Sequence, residues 1–155
     1  MEIERKFIPK QLPDNLDQYP FHDIEQGYLC TNPVVRIRKM DTSYFLTYKS
    51  RGMMAREEYE MPLTKESYEH LRTKTDGILI AKRRYLIPLD TAHTVELDLF
   101  QSTLQGLTLA EVEFTSIEEA DAFIPPSWFG QDVTYDKRYH NSELSKGFQL
   151  SGEND

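Results

Sequence analysis

Polar and apolar residues alternate along most of the chain, with a period of two that is typical of β-strands with two different faces. The alternation recurs in eight stretches separated by turn-forming pairs such as Asn32-Pro33 and Asp76-Gly77. The predicted strands cover residues 2–8, 24–31, 34–40, 43–50, 55–61, 78–88, 93–101 and 108–115. Many short strands joined by turns predict a sandwich or a barrel. We favour a closed antiparallel β-barrel with a few peripheral helices, in the α+β (mainly β) class.

Helical patterns are few and short. Residues 64–71 begin with a capping Thr64 and suit an amphipathic helix. Residues 116–123 begin with Ser116 and place Glu119 three positions later, which is a capping-box pattern. A third helix is predicted over residues 137–147. The length predicts a single domain over residues 1–150, followed by a flexible tail at 151–155.

Charged residues recur at alternate positions within the strands, and each such pair carries one sign. Side chains two positions apart share a face of a strand, so each pair points to one side of the sheet. The six pairs are Glu2 and Glu4, Arg36 and Arg38, Glu58 and Glu60, Lys82 and Arg84, Glu96 and Asp98, and Glu111 and Glu113.

Two interpretations of these pairs remain open from the pattern alone. They could form the solvated outer face of an antiparallel sheet, with the apolar alternates in the core. They could instead line the lumen of a barrel that encloses a ligand. Because like charges repel, an interior set of this kind needs counter-ions. A polyphosphate bound together with Mg²⁺ or Mn²⁺ would satisfy both signs of charge at once.

The composition narrows the class of protein. With 26 acidic and 18 basic residues the formal net charge is −8, which disfavours nucleic acid as a partner. The charged N-terminal residues do not resemble a signal peptide, and no apolar run approaches the ~20 residues of a membrane helix. The single Cys30 excludes an internal disulfide. These features predict a cytoplasmic protein without a membrane or nucleic-acid partner.

The order of the charged motifs resembles that of the CYTH family, the triphosphate tunnel metalloenzymes. Glu2, Glu4 and Lys6 match the ExExK motif that marks the family. The later motifs follow in the family's order, through Arg36-Ile-Arg38, Glu58-Tyr-Glu60 and Glu111-Val-Glu113. The resemblance covers roughly residues 1–147 and is strongest to short bacterial members that hydrolyse inorganic tripolyphosphate. It implies a closed tunnel of eight antiparallel strands with a charged inner wall.

The resemblance also implies roles for individual residues. Catalytic roles would fall to Glu2, Glu4, Lys6, Tyr28 and Lys82. The substrate phosphates would contact Lys6, Arg36, Arg38, Lys49, Lys82, Arg84 and Lys137. The divalent metal, Mg²⁺ or Mn²⁺, would be held by Glu2, Glu4, Glu111 and Glu113. Glu58, Glu60, Glu96 and Asp98 would be either further metal or water ligands or ion-pair partners that hold the basic residues. Tyr28 could pair with Lys49 or Lys82, or simply be hydrogen-bonded in the wall.

The implied activity is metal-dependent hydrolysis of inorganic tripolyphosphate to diphosphate and phosphate. Other activities of the family stay open at this point, namely thiamine triphosphatase, nucleoside triphosphatase and class IV adenylate cyclase. A non-catalytic polyphosphate-binding module is a further alternative. In each case the partner would be a small polyanion, and the protein would be a monomer or a homodimer.

Overall fold

A computed structural model describes residues 1–147. The predicted tail at 151–155 and the end of the predicted domain at 148–150 lie outside the described residues. The ten strands in the described part are β1 (Glu2–Pro9), β2 (Phe21–Thr31), β3 (Val34–Met40), β4 (Ser43–Lys49), β5 (Ala55–Arg56), β6 (Glu58–Pro62), β7 (Asp76–Pro88), β8 (Thr94–Gln101), β9 (Thr108–Glu113) and β10 (Phe129–Asp132). The three α-helices are α1 (Lys65–Arg72), α2 (Ile117–Ala122) and α3 (Asn141–Leu144).

The strands form one antiparallel sheet that curls into a nearly closed barrel. Its order is β10-β1-β9-β8-β7-β2-β3-β4-β6, and β5 pairs separately with β1. Only Glu57 separates β5 from β6, so one short bent segment reaches β1 at one end and β4 at the other. If that segment is counted once and β10 is left outside, the ring has the eight strands that the sequence predicts.

The apolar side chains form one cluster on the outer face of the sheet and a second on its inner face. Phe7, Leu97 and Val112 are almost completely buried in the outer cluster. Phe123 and Trp128, from the connection after α2, pack against it. The inner cluster joins Tyr28 and Phe100 to Leu144 of α3, and Phe100 lies on the same face of β8 as Asp98. The interior of the barrel therefore combines an apolar part with a polar wall.

The two longer helices begin where their capping residues predict. The Thr64 hydroxyl accepts a hydrogen bond from the Ser67 backbone N–H at 3.0 Å, and the Ser116 hydroxyl accepts one from Glu119 at 3.0 Å. The Glu119 carboxylate in turn accepts from the backbone of Thr115, one residue before the cap. No helix in the described part of the chain is long and apolar enough to cross a membrane.

Three details of the predicted elements are wrong. The strand expected over 55–61 is divided, because the backbone N–H of Glu57 turns aside to the Ser50 hydroxyl. The strand β10 was not expected, since it is only four residues long and follows a Pro-rich connection. The helix expected over 137–147 is a 3₁₀ turn at Lys137–Tyr139 and a single α-turn at α3. His140 is extended between them and interrupts the helix.

Candidate functional site

A cavity of about 260 Å³ lies inside the barrel, and charged residues make up most of its wall. We call it the charged cavity. Its charged lining residues are Glu2, Glu4, Lys6, Arg36, Arg38, Lys49, Arg56, Glu58, Glu60, Arg84, Glu96, Glu111 and Glu113. Strand alternation explains this wall, because the charged residues recur at every second position and so share one face of the sheet. The like-signed pairs of the sequence therefore line the lumen.

The strand register sets some like charges directly opposite each other. Glu4 of β1 faces Glu113 of β9, and Glu96 of β8 faces Glu111 of β9. Opposed like charges on neighbouring strands destabilise a sheet. Acidic pairs of this kind indicate that the wall is arranged for cations that come from elsewhere.

Part of the wall is already neutralised by internal ion pairs. Arg84 makes a two-pronged contact with Asp98, at 2.7 Å and 2.9 Å, and lies 3.5 Å from Glu111. Lys6 reaches the other oxygen of Glu111 at 3.4 Å and donates to the carbonyl of Tyr139 at 3.1 Å. Burial alone would raise the pKa of Glu111, but Lys6 and Arg84 hold it well below its usual value. This carboxylate stays ionised and fixes both cations.

A second group of internal ion pairs lies near the start of β1. The Lys49 ammonium is 3.0 Å from Glu2 and 3.6 Å from Glu58, and Arg56 is 3.5 Å from Glu2. Burial would raise the pKa of Glu2, and the contact with Lys49 lowers it below its usual value. Glu2 is thus ionised and shared between two cations.

Two arginines of the wall have no carboxylate partner among the described residues. Arg36 is 4% exposed, donates to the Thr47 hydroxyl at 3.2 Å, and leaves its Nε without a hydrogen bond. Arg38 donates only to the Gln26 side chain, at 2.8 Å. Burial, with repulsion from Arg36 and Arg84, lowers the pKa of Arg38 to about 9. Unpaired buried cations are costly, so this part of β3 suits an anionic ligand.

Two carboxylates form the complementary feature. Glu4 and Glu113 make no ion pair or side-chain hydrogen bond with any residue that the structure describes. Burial and the nearby Glu111 and Glu2 raise the pKa of Glu4 to about 8. Glu113 lies at the exposed rim, where partial burial and Glu96 raise its pKa to about 7. In both cases burial and neighbouring carboxylates outweigh any nearby positive charge.

The donor set fits a hard divalent cation in chemistry, because carboxylate oxygens are the ligands that Mg²⁺ and Mn²⁺ prefer. Within residues 1–147 no three acidic, histidine or cysteine side chains are already grouped as a metal site. The uncompensated pair Glu4 and Glu113 faces across two adjacent strands, next to Glu2 and Glu111. A cation would draw these side chains together.

Most of the predicted site residues lie in the charged cavity, and three do not. Lys82 and Asp98 are both fully buried on the inner face of the sheet, where their charged atoms pair at 2.8 Å. Lys82 also donates to Asn141 of α3 at 3.2 Å, and burial lowers its pKa to about 7. Asp98 is an ion-pair partner of Arg84 and Lys82, whereas the role of Lys82 towards a substrate stays a prediction.

Tyr28 and Lys137 are two further predicted site residues. Tyr28 lines the cavity and its hydroxyl accepts a hydrogen bond from Gln26 at 3.2 Å, which matches the alternative of a tyrosine hydrogen-bonded in the wall. Lys137 lines a neighbouring cavity rather than the charged one. Its position outside the wall follows from the 3₁₀ turn that replaces the expected helix.

Sequence reasoning missed four residues that shape the site. Arg56 follows a break in the alternation, yet it lines the cavity and pairs with Glu2. Gln26 is fully buried and holds both Arg38 and Tyr28. Asn141 and Ser142 of α3 enter the wall from the C-terminal turn. Only Arg56 carried a usable signal, since it opens the stretch that contains Glu58 and Glu60.

Comparisons of the sequence and of the structure with known proteins agree on one family. The model of the CYTH domain matches residues 1–146. An inorganic triphosphatase of Nitrosomonas europaea is 44% identical over 148 residues, covering 93% of this chain and 96% of the relative. An inorganic triphosphatase of Acetivibrio thermocellus is 35% identical, covering 94% and 93%. The crystal structure of an inorganic triphosphatase superposes with a TM-score of 0.71 at 40% identity, covering 96% of each chain.

Proposed function

Because this chain belongs to the CYTH family, we propose that it is a hydrolase that cleaves inorganic tripolyphosphate to diphosphate and phosphate in the charged cavity. The observation that carries the proposal is that the charged cavity holds two arginines and two carboxylates without ion-pair partners among the described residues. Among the described residues, Arg36 and Arg38 have no carboxylate partner, and Glu4 and Glu113 have no ion-pair partner. A polyphosphate accompanied by divalent metal supplies both. The names of the two similar triphosphatases support the same substrate.

The size and lining of the cavity favour an inorganic substrate over a nucleotide or thiamine triphosphate. Its volume of about 260 Å³ is below the ~300–1,000 Å³ range of pockets for drug-sized ligands. Tyr28 is the only Phe, Tyr or Trp among the described residues that line it. An adenine or thiamine ring would need an apolar or aromatic surface to pack against, and this wall offers very little.

The basic residues divide into two groups by their freedom to bind phosphate. Arg36 and Arg38 are available, and their planar guanidinium groups can each bind two phosphate oxygens. Lys6, Lys49 and Arg84 are held in place by Glu111, Glu2 and Asp98. Charges fixed in this way need little reorganisation when negative charge shifts during phosphoryl transfer.

Triphosphatases of this family depend on a metal ion. Here Glu2, Glu4, Glu111 and Glu113 would hold it, and we propose Mg²⁺ or Mn²⁺ because all four donors are carboxylates. The bound ion would neutralise phosphate oxygens and lower the pKa of a water molecule. The protein's own part is to place the phosphate chain between β3 and the acidic face of β1 and β9. The cations of the wall then stabilise the charge that collects on the leaving diphosphate.

A substrate panel tests the proposal directly. With Mg²⁺ or Mn²⁺ we expect phosphate release from tripolyphosphate with a kcat/KM well above that for ATP or thiamine triphosphate, and no release after chelation by EDTA. Tight tripolyphosphate binding without metal-dependent turnover would instead identify a binding module. A preference for ATP or thiamine triphosphate would move the protein to another activity of the family.

Metal binding should release protons near neutral pH. The pKa values of about 8 for Glu4 and about 7 for Glu113 mean that both carboxyls carry protons at pH 6, which a cation must displace. We expect the apparent affinity for Mg²⁺ to rise from pH 6 to pH 8 and to level off above it. Calorimetry in buffers of different ionisation enthalpy measures the protons released. An affinity that is independent of pH would contradict the placement of the metal at these carboxylates.

A further inference from the structure

A second cavity adjoins the charged cavity and is about twice as large. Its volume is about 510 Å³, against about 260 Å³ for the charged cavity. Val34, Lys49, Arg56 and Ser142 line both spaces. We call this space the second chamber. The two spaces therefore adjoin at Lys49 and Arg56.

The second chamber has a strongly positive wall in a chain of net charge −8. Beyond the shared Lys49 and Arg56, it adds Arg51, Lys137 and Lys146. Among its described lining residues the only carboxylate is Glu143, which lies 2.8 Å from Lys146. This composition contrasts with the charged cavity, whose described lining has seven acidic and six Lys or Arg residues.

Two of the five cations of the second chamber, Arg51 and Lys137, form no ion pair with a described residue. Arg51 donates to the Asn32 side chain at 3.3 Å and has no carboxylate partner in the part of the chain that the structure describes. Lys137 likewise forms no ion pair with a described residue. The wall contains no Phe, Tyr or Trp among its described residues. The chamber is thus suited to a flexible anion without a ring system.

We propose that the second chamber binds the additional phosphoryl groups of linear polyphosphates longer than tripolyphosphate. The proposal rests on the proposed function, because it extends the same chain beyond the charged cavity. A chain interior carries one negative charge on each phosphoryl group and no apolar part, which matches a positive wall with few carboxylates. In the reaction, the oxygen of water bonds to the terminal phosphorus and the adjacent anhydride P–O bond breaks. The products are phosphate and a chain shorter by one unit.

The test compares two chain lengths in two variants. Arg51→Gln with Lys146→Gln removes two cations from the chamber and leaves the charged cavity intact. The matched control is Lys10→Gln with Lys74→Gln, two exposed lysines outside both spaces. With Mg²⁺ present, kcat/KM is measured for tripolyphosphate and for tetrapolyphosphate. We expect the tetrapolyphosphate-to-tripolyphosphate ratio to fall about tenfold in the chamber variant and to stay unchanged in the control.

Each outcome bears on the proposal. Tripolyphosphate turnover also reports whether the variant is folded. An unchanged ratio, or an equal loss for both chain lengths, would show that the chamber does not bind the added phosphates. If the wild-type protein cleaves neither tripolyphosphate nor tetrapolyphosphate, the proposed function fails. Calorimetric Kd values for the two compounds then test binding in the second chamber separately. Tighter binding of tetrapolyphosphate that is lost in the chamber variant would support it, and equal binding would overturn it.

Discussion

Replacing Glu4 with glutamine is expected to abolish metal-dependent turnover while leaving the metal-free protein at least as stable as wild type. Glu4 contributes an oxygen donor to the acidic face, and the amide of glutamine keeps its shape but removes its charge. Loss of one of the proposed metal-holding carboxylates should lower kcat/KM by about 10³-fold or more. A phosphate-release assay measures this effect.

The stability of the same variant has a defined pH dependence. The folded protein raises the pKa of Glu4 from its ordinary 4.5 to about 8, so the folded state binds a proton that the unfolded state releases. The stability that this proton gives is complete below pH 4.5 and is lost as the pH rises through 8. The glutamine variant does not undergo this loss, and its advantage should reach on the order of 5 kcal/mol above pH 8. For a domain of this size that is on the order of 10 °C in Tm.

Glu118→Gln is the matched control, because Glu118 is exposed on α2 and undergoes the same chemical change. It should alter neither turnover nor the pH dependence of Tm. Equal activity of wild type and Glu4→Gln would remove Glu4 from the metal site. A Glu4→Gln protein that is less stable at pH 8 would show that Glu4 has a cationic partner in the metal-free protein.

Replacing Arg36 with methionine is expected to weaken substrate binding strongly without harming the fold. Arg36 is buried against Thr47 with an unsatisfied Nε, so its charge is compensated only when a phosphate chain is present. Truncating one partner of a buried charge pair costs about 2–5 kcal/mol. We expect kcat/KM for tripolyphosphate to fall by about 10²-fold or more, with most of the change in KM.

The control for this variant is Lys39→Met, three positions along β3 and on the exposed outer face. It removes the same charge from the protein but not from the cavity. Thermal unfolding should show Arg36→Met to be as stable as wild type or more so, because an uncompensated buried cation has been removed. Unchanged KM and kcat in Arg36→Met would show that this part of β3 does not meet the substrate.

The sequence predicts the charged wall well because strand alternation is a local property. Arg36 and Arg38 must share a face whatever their neighbours are, and the same holds for Glu111 and Glu113. Which charges lack partners is a different matter, since it depends on the register between strands that are far apart in sequence. Glu4 meets Glu113 only because β1 pairs with β9 in one particular alignment.

The parts that sequence reasoning missed share another cause. Lys82 has the same spacing from Arg84 as Arg36 has from Arg38, yet it is fully buried and donates to Asn141 of α3. Its position depends on α3, a single turn whose place is set by tertiary contacts with Leu144 and Tyr28. The strand β10 is similar, because its four residues are ordered by pairing with β1 rather than by a pattern of their own.

The position of β1 in the sheet also has a consequence for how the protein folds. The strand at the start of the chain pairs with β9 and β10, whose residues lie more than one hundred positions later. Proteins dominated by such distant pairings fold slowly, because the entropy cost of closing a long loop comes before the contact can stabilise the chain. During synthesis, β1 must wait for the last third of the chain before Glu4 can meet Glu113. A chain truncated before β9 therefore cannot assemble the acidic face, however well its earlier strands have formed.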